Sequence, residues 1–329
     1  MKILISQLRN HGDIIRSFPL VEAIKDAHPD WFVGYTCYPD MVETCALCHP
    51  IDKIFPQPRL TPVTNIQGGT RVLDCSIFED IVSEIKKYSF NTFVDLHGVF
   101  QSALMGCLCN IKTRLGRSKE TAKDGATLFY TDIASVPSKS INRMERHFKI
   151  VQHLYPEIKY NKIFPDTWRC RSNVTIFPGT SITGRLKRWT PQKYIQLAEY
   201  ISSFFPVAIV LGPEEHEMLA GLEIAKKVNL IYASDWHEII NIIKNSRFVI
   251  ANDSVYAHMS IWLRTPTIML LGATPFEVNG VWKFGLGVNV YHEPRCNCPD
   301  AWSGVCDKNH YCMESISVDE VISKVKDFL

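Results

Sequence analysis

Short apolar runs alternate with stretches of helical period from the start of the chain. Residues 3–6 make an apolar run of strand length. In the segment that follows, Ile14, Ile15, Phe18, Val21 and Ile24 recur on one helical face, which predicts a helix over 13–27. Further strands are predicted at 31–37, 53–55 and 92–96, with helices at 77–87, 100–109 and 143–154. After Tyr155-Pro156 comes a polar stretch with Pro165 and no period, which reads as a linker between domains. The alternation then restarts. Strands are predicted at 174–177, 207–211, 230–232, 248–251 and 267–271, helices at 192–204, 214–226, 236–244 and 255–262, and a last helix at 318–328.

Two successive α/β runs predict two Rossmann-like doubly wound domains, 1–160 and 171–329, facing each other across a cleft. The length of 329 residues is enough for two cores. No apolar run approaches the roughly 20 residues that a bilayer span needs. The opening Met1-Lys2-Ile3-Leu4-Ile5-Ser6 is too short an apolar stretch for a signal peptide and reads as a buried strand. The expectation is a cytoplasmic protein with no transmembrane segment.

A net charge of +2 argues against a globally basic nucleic-acid binder, and no nucleic-acid partner is expected. Locally, Lys112, Arg114, Arg117, Lys119 and Lys123 stand against only Glu120. Such a patch suits an anionic partner and equally a solvated loop face. Seven of the eleven cysteines, Cys37, Cys45, Cys48, Cys75, Cys107, Cys109 and Cys170, lie in apolar or helical contexts typical of reduced, buried thiols. Cys296, Cys298, Cys306 and Cys312 share one loop, 295–313, with His310 nearby. Four thiolates there can enclose a structural zinc or iron, although the spacing is not a standard pair of C-x-x-C motifs.

The candidate chemistry lies where predicted strands give way to helices, because backbone N–H groups and the positive end of the helix dipole converge there. The loop after the first strand carries one glycine, not G-x-G-x-x-G, which argues against an NAD-dependent oxidoreductase. It presents Asp13 at a helix start, where Arg9 or Arg16 could keep the carboxylate ionised as a general base; the competing reading is a helix cap. The segment Phe177-Pro178-Gly179-Thr180-Ser181, continuing to Lys187-Arg188-Trp189, places hydroxyls ahead of cations, as a departing diphosphate requires. It lacks P-loop spacing. In Asn252-Asp253-Ser254, with His258 four residues after the serine, Ser254 and His258 share a helix face. Glu215, after Leu211-Gly212-Pro213-Glu214, could accept ribose hydroxyls or serve only as first-turn charge.

In this order and spacing, these residues resemble glycosyltransferase family 9, the bacterial ADP-heptose lipopolysaccharide heptosyltransferases, with the two-domain architecture called GT-B. The resemblance also takes in Gly12-Asp13 with Pro19, and Val94-Asp95-Leu96-His97-Gly98. It implies an inverting transferase with Asp13 as base, Thr180, Ser181 and Lys187 on the diphosphate, Glu215 on the ribose, and Asp253, Ser254 and His258 on sugar and phosphates. Arg146 and Lys123 match basic positions on the acceptor side. The implied donor is ADP-heptose, bound by the second domain. The implied acceptor is the acidic inner core of lipopolysaccharide at the inner face of the inner membrane, where the enzyme would sit peripherally; a protein acceptor is the alternative. No divalent cation is implied for catalysis, and no Asp-x-Asp motif is present. Val255 stands where the family usually has glycine. A transferase for another nucleotide sugar and a non-catalytic nucleotide binder are the competing functions.

Overall fold

Strand β1 (Lys2–Ser6) buries Ile3, Leu4 and Ile5 completely, consecutive apolar residues on both faces. Only a strand covered by helices on each side satisfies that pattern. It lies in a parallel six-stranded sheet with β2 (Phe32–Cys37), β3 (Lys53–Pro56), β6 (Thr92–Asp95), β7 (Thr113–Arg117) and β8 (Asp132–Ala134), in the order β3-β2-β1-β6-β7-β8. A short antiparallel pair, β4 (Pro62–Thr64) and β5 (Arg71–Leu73), stands apart. The helices of this part are α1 (His11–Ile15), α2 (Phe18–Ala27), α3 (Val42–Ala46), α4 (Glu79–Lys87), α5 (Phe100–Leu108) and α6 (Arg143–Gln152). Phe55, Phe78, Phe90, Phe93 and Met105 pack with Leu4 into a common core.

The second sheet repeats the winding. Strands β9 (Asn173–Phe177), β10 (Val207–Leu211), β11 (Val228–Tyr232), β12 (Ser246–Asn252), β13 (Thr267–Leu271) and β14 (Gly287–Tyr291) are all parallel, in the order β11-β10-β9-β12-β13-β14. Its helices are α7 (Pro191–Ile201), α8 (Trp236–Asn245), α9 (Val255–Trp262), α10 (Phe276–Asn279), α11 (Tyr311–Glu314) and α12 (Val318–Val325). Trp189, fully buried, donates its indole N–H to the carbonyl of Ile316 at 2.9 Å and so pins the chain near α12 to the core.

These features belong to a computed structural model that describes residues 1–60, 62–64, 71–136, 140–162, 165–212, 215, 217–283, 285–292, 306 and 308–329. The chain divides into two units, Met1–Asn161 and Lys162–Leu329. Both sheets wind outward one way from their first strand and then cross to its other side, giving switch points between β1 and β6 and between β9 and β12. At a switch point the loops diverge and leave an opening at the carboxyl ends of the strands.

Three differences from the sequence reading stand out. The single helix expected over 13–27 is two, because Pro19 near the start of α2 lacks an N–H and cannot continue a helix from α1. Strands β4, β5, β7, β8 and β14 were not anticipated. Over 217–222 the expected helix gives way to turns with three-residue hydrogen bonds, such as Met218 N–H to the Glu215 carbonyl at 2.9 Å, and Gly221 then adopts φ +75°.

Within β7, a β-carbon on Gly116 would stand 2.2 Å from the Tyr130 ring. Gly116→Ala is therefore expected to force that ring outward and lower the unfolding free energy by about 2 kcal/mol. Urea denaturation of the two proteins side by side checks this; an unchanged midpoint would show that Tyr130 yields without loss.

Candidate active site

The loop after β1 turns at Asn10, which adopts φ +67°, and enters α1 with Asp13 in its first turn. Asp13 Oδ1 accepts from Nη1 of Arg16 and from Nη1 of Arg143, each at 2.8 Å; Oδ2 accepts from the Asn10 amide at 3.2 Å. Arg16 lies one turn along the chain, whereas Arg143 opens α6, 130 residues away in sequence. Burial alone would raise the Asp13 pKa, but the guanidiniums, Arg143 foremost, overwhelm it and hold the carboxyl far below its usual range. The second cation is thus Arg143 and not Arg9, which is exposed.

Across the switch point, β6 ends at Asp95, which is fully buried and satisfied on both oxygens. Oδ1 accepts from the backbone N–H of His97 and of Gly98, both at 2.9 Å, and Oδ2 from Ser102 Oγ and the Tyr130 hydroxyl, both at 2.7 Å. The resulting loop puts Gly98 at φ +73°, with the Arg117 guanidinium against its α-carbon: a β-carbon there would lie 2.2 Å from Nη2. Lys123 hangs its backbone N–H on the Gly98 carbonyl at 2.8 Å, and its side chain is exposed.

His97 accepts from the Gln7 amide at Nδ1, 2.9 Å away, and burial, opposed by Asp13, brings its pKa down to about 4. His147 donates from Nδ1 to the Arg16 carbonyl at 3.2 Å, and burial together with Arg146 lowers it to about 3. Both rings are neutral near pH 7. Arg146 is lowered to about 9 by burial and then by the like charges of Arg117 and Arg143. The basic run from Lys112 to Lys123 is not one face. Arg114 spends its guanidinium on the carbonyls of Phe129 and Ile111, at 2.6 and 2.8 Å, and Arg117 is buried, which leaves Lys112, Lys119 and Lys123 in solvent.

At the second switch point, β9 runs into Pro178-Gly179-Thr180-Ser181 and a 3-10 turn, Ile182–Lys187. Lys187 reaches Asp253 Oδ2 at 2.9 Å, and His258 Nε2 meets the other oxygen of the same carboxylate at 3.1 Å; all three side chains are buried. Arg188 binds Thr180 through both its hydroxyl and carbonyl oxygens, at 3.0 and 2.7 Å, and Glu215 Oε1 at 2.7 Å. Glu215 Oε2 in turn accepts from Gly212 N–H at 3.1 Å, and the carboxylate lies against Gly179 so closely that a β-carbon would stand 2.7 Å from its Cδ. Asn252 ties the two loops together by accepting from the Tyr194 hydroxyl at 2.6 Å and donating to the Pro178 carbonyl at 2.8 Å.

Ser254, at the N-cap of α9, buries its hydroxyl with no hydrogen-bond partner among the described residues, and so does Thr274 beyond the end of β13. A buried hydroxyl without a partner is a place for a ligand oxygen. Ser181 is exposed, 3.3 Å from the Thr183 hydroxyl. Thr180, Lys187, Glu215, Asp253, Ser254 and His258 thus gather at one switch point, and Asp13 and Arg146 at the other. Arg143 and Thr274 were missed in the sequence. Arg143 is betrayed by nothing local; Thr274 follows the strand in Gly272-Ala273-Thr274, a strand-to-loop step of the same kind as Gly179-Thr180.

Cys296 and Cys298 lie outside the described residues. Cys306 is half-buried, and Cys312 is buried in the core of the second unit. Among the described residues no group of three or more His, Cys, Asp or Glu side chains could hold a metal ion.

Residues 80–300 match Glycosyltransferase family 9 (heptosyltransferase). Lipopolysaccharide heptosyltransferase 1 of Campylobacter coli is 24% identical over an alignment of 370 positions that takes in 99% of this chain and 98% of that one. A solved family 9 glycosyl transferase from Veillonella parvula superposes with a TM-score of 0.79 at 15% identity, covering 99% of this chain and 96% of the other. ADP-heptose lps heptosyltransferase II of E. coli gives 0.72 at 15% identity, covering 100% and 98%. The fold of these structures, two Rossmann-like domains of the GT-B class, is the fold of this chain.

Two stability measurements probe the clusters. Because the Asp13 pKa is depressed in the folded state, its stabilisation is complete above the unfolded value near 4 and fades as pH falls through the folded one. Asp13→Asn is expected to cost on the order of 2 kcal/mol from about pH 5 upward, with the gap narrowing below about pH 4. Urea midpoints across that range would contradict the assignment if the gap were independent of pH. For the buried pair, Asp253→Asn and Lys187→Met are each expected to cost about 3 kcal/mol, and the double variant clearly less than their sum. Additive losses would mean that the two charges do not sense each other.

Proposed function

The chain belongs to glycosyltransferase family 9, the heptosyltransferases, and is a glycosyltransferase, and from that premise we propose that it moves a heptose from ADP-heptose to a hydroxyl of the lipopolysaccharide inner core with inversion at the anomeric carbon. The observation that carries the reading is the siting of two unlike clusters at the two switch points, an ionised carboxylate among cations in one unit and a cradle of hydroxyls and lysine in the other. Support for the donor and acceptor comes from the names of the relatives, an ADP-heptose enzyme of E. coli and a lipopolysaccharide heptosyltransferase of Campylobacter coli.

In this mechanism the Asp13 carboxylate takes the proton of the acceptor hydroxyl as its oxygen attacks the anomeric carbon from the face opposite the diphosphate. The bond from that carbon to the diphosphate oxygen breaks, and its electron pair leaves with ADP. Charge growing on the diphosphate is met by the Lys187 ammonium, the hydroxyls of Thr180, Ser181 and Ser254, and the N–H groups opening α9. Asp253 and His258 orient Lys187 and border the sugar, and Glu215 accepts the ribose hydroxyls. These fixed charges take the role that a divalent cation has in other transferases. Arg146 and Lys123 meet the acidic acceptor, a glycolipid at the cytoplasmic face of the inner membrane. Attachment there is proposed as peripheral; no helix among the described residues is long and apolar enough to cross a membrane.

Calorimetric titration with ADP-heptose, ADP, UDP-glucose, GDP-mannose and NAD tests the donor. Binding of ADP-heptose and ADP alone is expected; preference for a uridine or guanosine sugar would retire the heptose assignment. Asp13→Asn is expected to keep donor affinity within about two-fold and to lose transfer by roughly 10²- to 10⁴-fold, the usual share of a general base. Near-normal turnover in that variant would overturn the mechanism.

A further inference from the structure

Among the described residues, Arg16, Arg117, Arg143 and Arg146 interact at the first unit's switch point with the carboxylates of Asp13 and Asp95, and the neighbouring rings of His97 and His147 are neutral near pH 7. The Nε–H groups of Arg117, Arg143 and Arg146 are buried with no hydrogen-bond partner among the described residues. Arg117 is 7% exposed. Buried charged donors without acceptors cost free energy, and three guanidiniums that repel one another leave a deficit that an oxyanion fills, since their forks match a carboxylate or phosphate.

One of these three guanidiniums is already half committed. Arg143 gives Nη1 to Asp13 Oδ1, the same oxygen that Arg16 binds, while its own Nε has no partner among the described residues. The double clamp also creates a difficulty for catalysis. A carboxylate held so far below its ordinary pKa is a weak base, and a general base works best with a pKa near the working pH.

We propose that Arg143 is a positioning residue that changes partners: an oxyanion of the acceptor, a carboxylate or a phosphate ester, docks on Arg117, Arg143 and Arg146, draws the Arg143 guanidinium off Asp13, and so frees the carboxylate to take the acceptor's proton. The proposal rests on the reading of Asp13 as the base. It gives these cations a purpose beyond attraction, because the base stays quenched until an acceptor with the right charge is present. Water, which brings no oxyanion, does not release it, and the donor is spared hydrolysis.

The competition has a thermodynamic signature. If Asp13 and the oxyanion contend for Arg143, removing the Asp13 charge must strengthen anion binding, and the gain must depend on Arg143. Isothermal titration of the full chain with inorganic phosphate, and separately with acetate, is run on the wild type, Asp13→Asn, Arg143→Gln and the double variant. Asp13→Asn is expected to tighten binding of at least one anion by roughly five-fold or more in the wild-type background. In the Arg143→Gln background the gain should fall below about two-fold. Response to phosphate assigns an ester, and response to acetate a carboxylate.

Equal gains in both backgrounds would overturn the proposal, because Asp13 would then act only as a distant charge; absence of saturable binding in every protein would overturn it too. Should Arg143→Gln fail to fold, Arg143→Lys keeps the charge but not the fork, and loss of the coupling there counts alike. In transfer assays the acid limb of kcat, which reports the bound complex, is expected above that of kcat/KM, with the two limbs coinciding in Arg143→Lys; coincident limbs in the wild type would also count against partner exchange. The titration contains no nucleotide sugar, so a wrong donor leaves it untouched. Absent coupling with intact transfer would retire only the role of Arg143.

Discussion

A parallel sheet buried on both faces can show polar chemistry only at the ends of its strands, and in each unit one buried polar side chain makes that end usable. Asp95 and Asn252 occupy the same topological place, the last residue of the strand that neighbours the first across the switch point. Neither is exposed to solvent. Asp95 gathers two backbone N–H groups, a serine and a tyrosine; Asn252 gathers a tyrosine and the carbonyl of Pro178. Each therefore fixes a loop that would otherwise leave orphaned backbone groups in the interior. The loops so fixed are those that carry Gly98, against which the Arg117 guanidinium packs, on one side and Gly179 to Ser181 on the other. Without these two anchors the charged groups beyond them would have no defined positions.

The two ends then differ in how charge is distributed. In the second unit each carboxylate at this end, among the described residues, has a cation of its own: Asp253 lies between Lys187 and His258, and Glu215 binds Arg188. What is left there without a partner among the described residues is neutral, the hydroxyls of Ser254 and Thr274. In the first unit the unsatisfied buried donors among the described residues are the Ser6 hydroxyl and, unlike in the second, guanidinium Nε–H groups, on Arg117, Arg143 and Arg146. A buried ion pair contributes little net stability, but it holds its members in place, and breaking it exposes a full charge to a poor solvent. Both clusters are thus rigid at rest and cheap to rearrange only when a ligand supplies a replacement partner.

Much of this was legible in the sequence, and the limits have physical reasons. Strands that are continuous apolar runs, such as β1, β9 and β12, announce themselves, as do the loops at their carboxyl ends. Strand β7 reads Thr-Arg-Leu-Gly-Arg, and its glycine exists to admit the Tyr130 ring, a tertiary demand that no local pattern carries. Strand β8 is three residues long, and β14 opens on glycine. Asp13 could be picked out because its helix start is local. Arg143 could not, since its partner is 130 residues away and an arginine opening a helix has no distinguishing neighbours. The resemblance in motif order supplied the family; the partner of the carboxylate had to come from the fold.

The asymmetry between the ends bears on the order of events. A dianionic diphosphate entering the second unit meets neutral hydroxyls, a helix N-terminus and a lysine that already has a carboxylate partner, so its binding there draws on directed dipoles as much as on net charge. An acidic acceptor entering the first unit meets uncompensated guanidiniums, where long-range attraction and desolvated contact act together. A charge-balanced site is selective for shape and tolerant of salt, whereas a surplus-charge site gains rate and loses selectivity as ionic strength falls. On the proposed function, discrimination among nucleotide sugars is then the work of the second unit and capture of the acceptor that of the first. On the same proposal, the residue that links capture to chemistry is Arg143, whose guanidinium touches the Asp13 carboxylate while its Nε–H has no partner among the described residues.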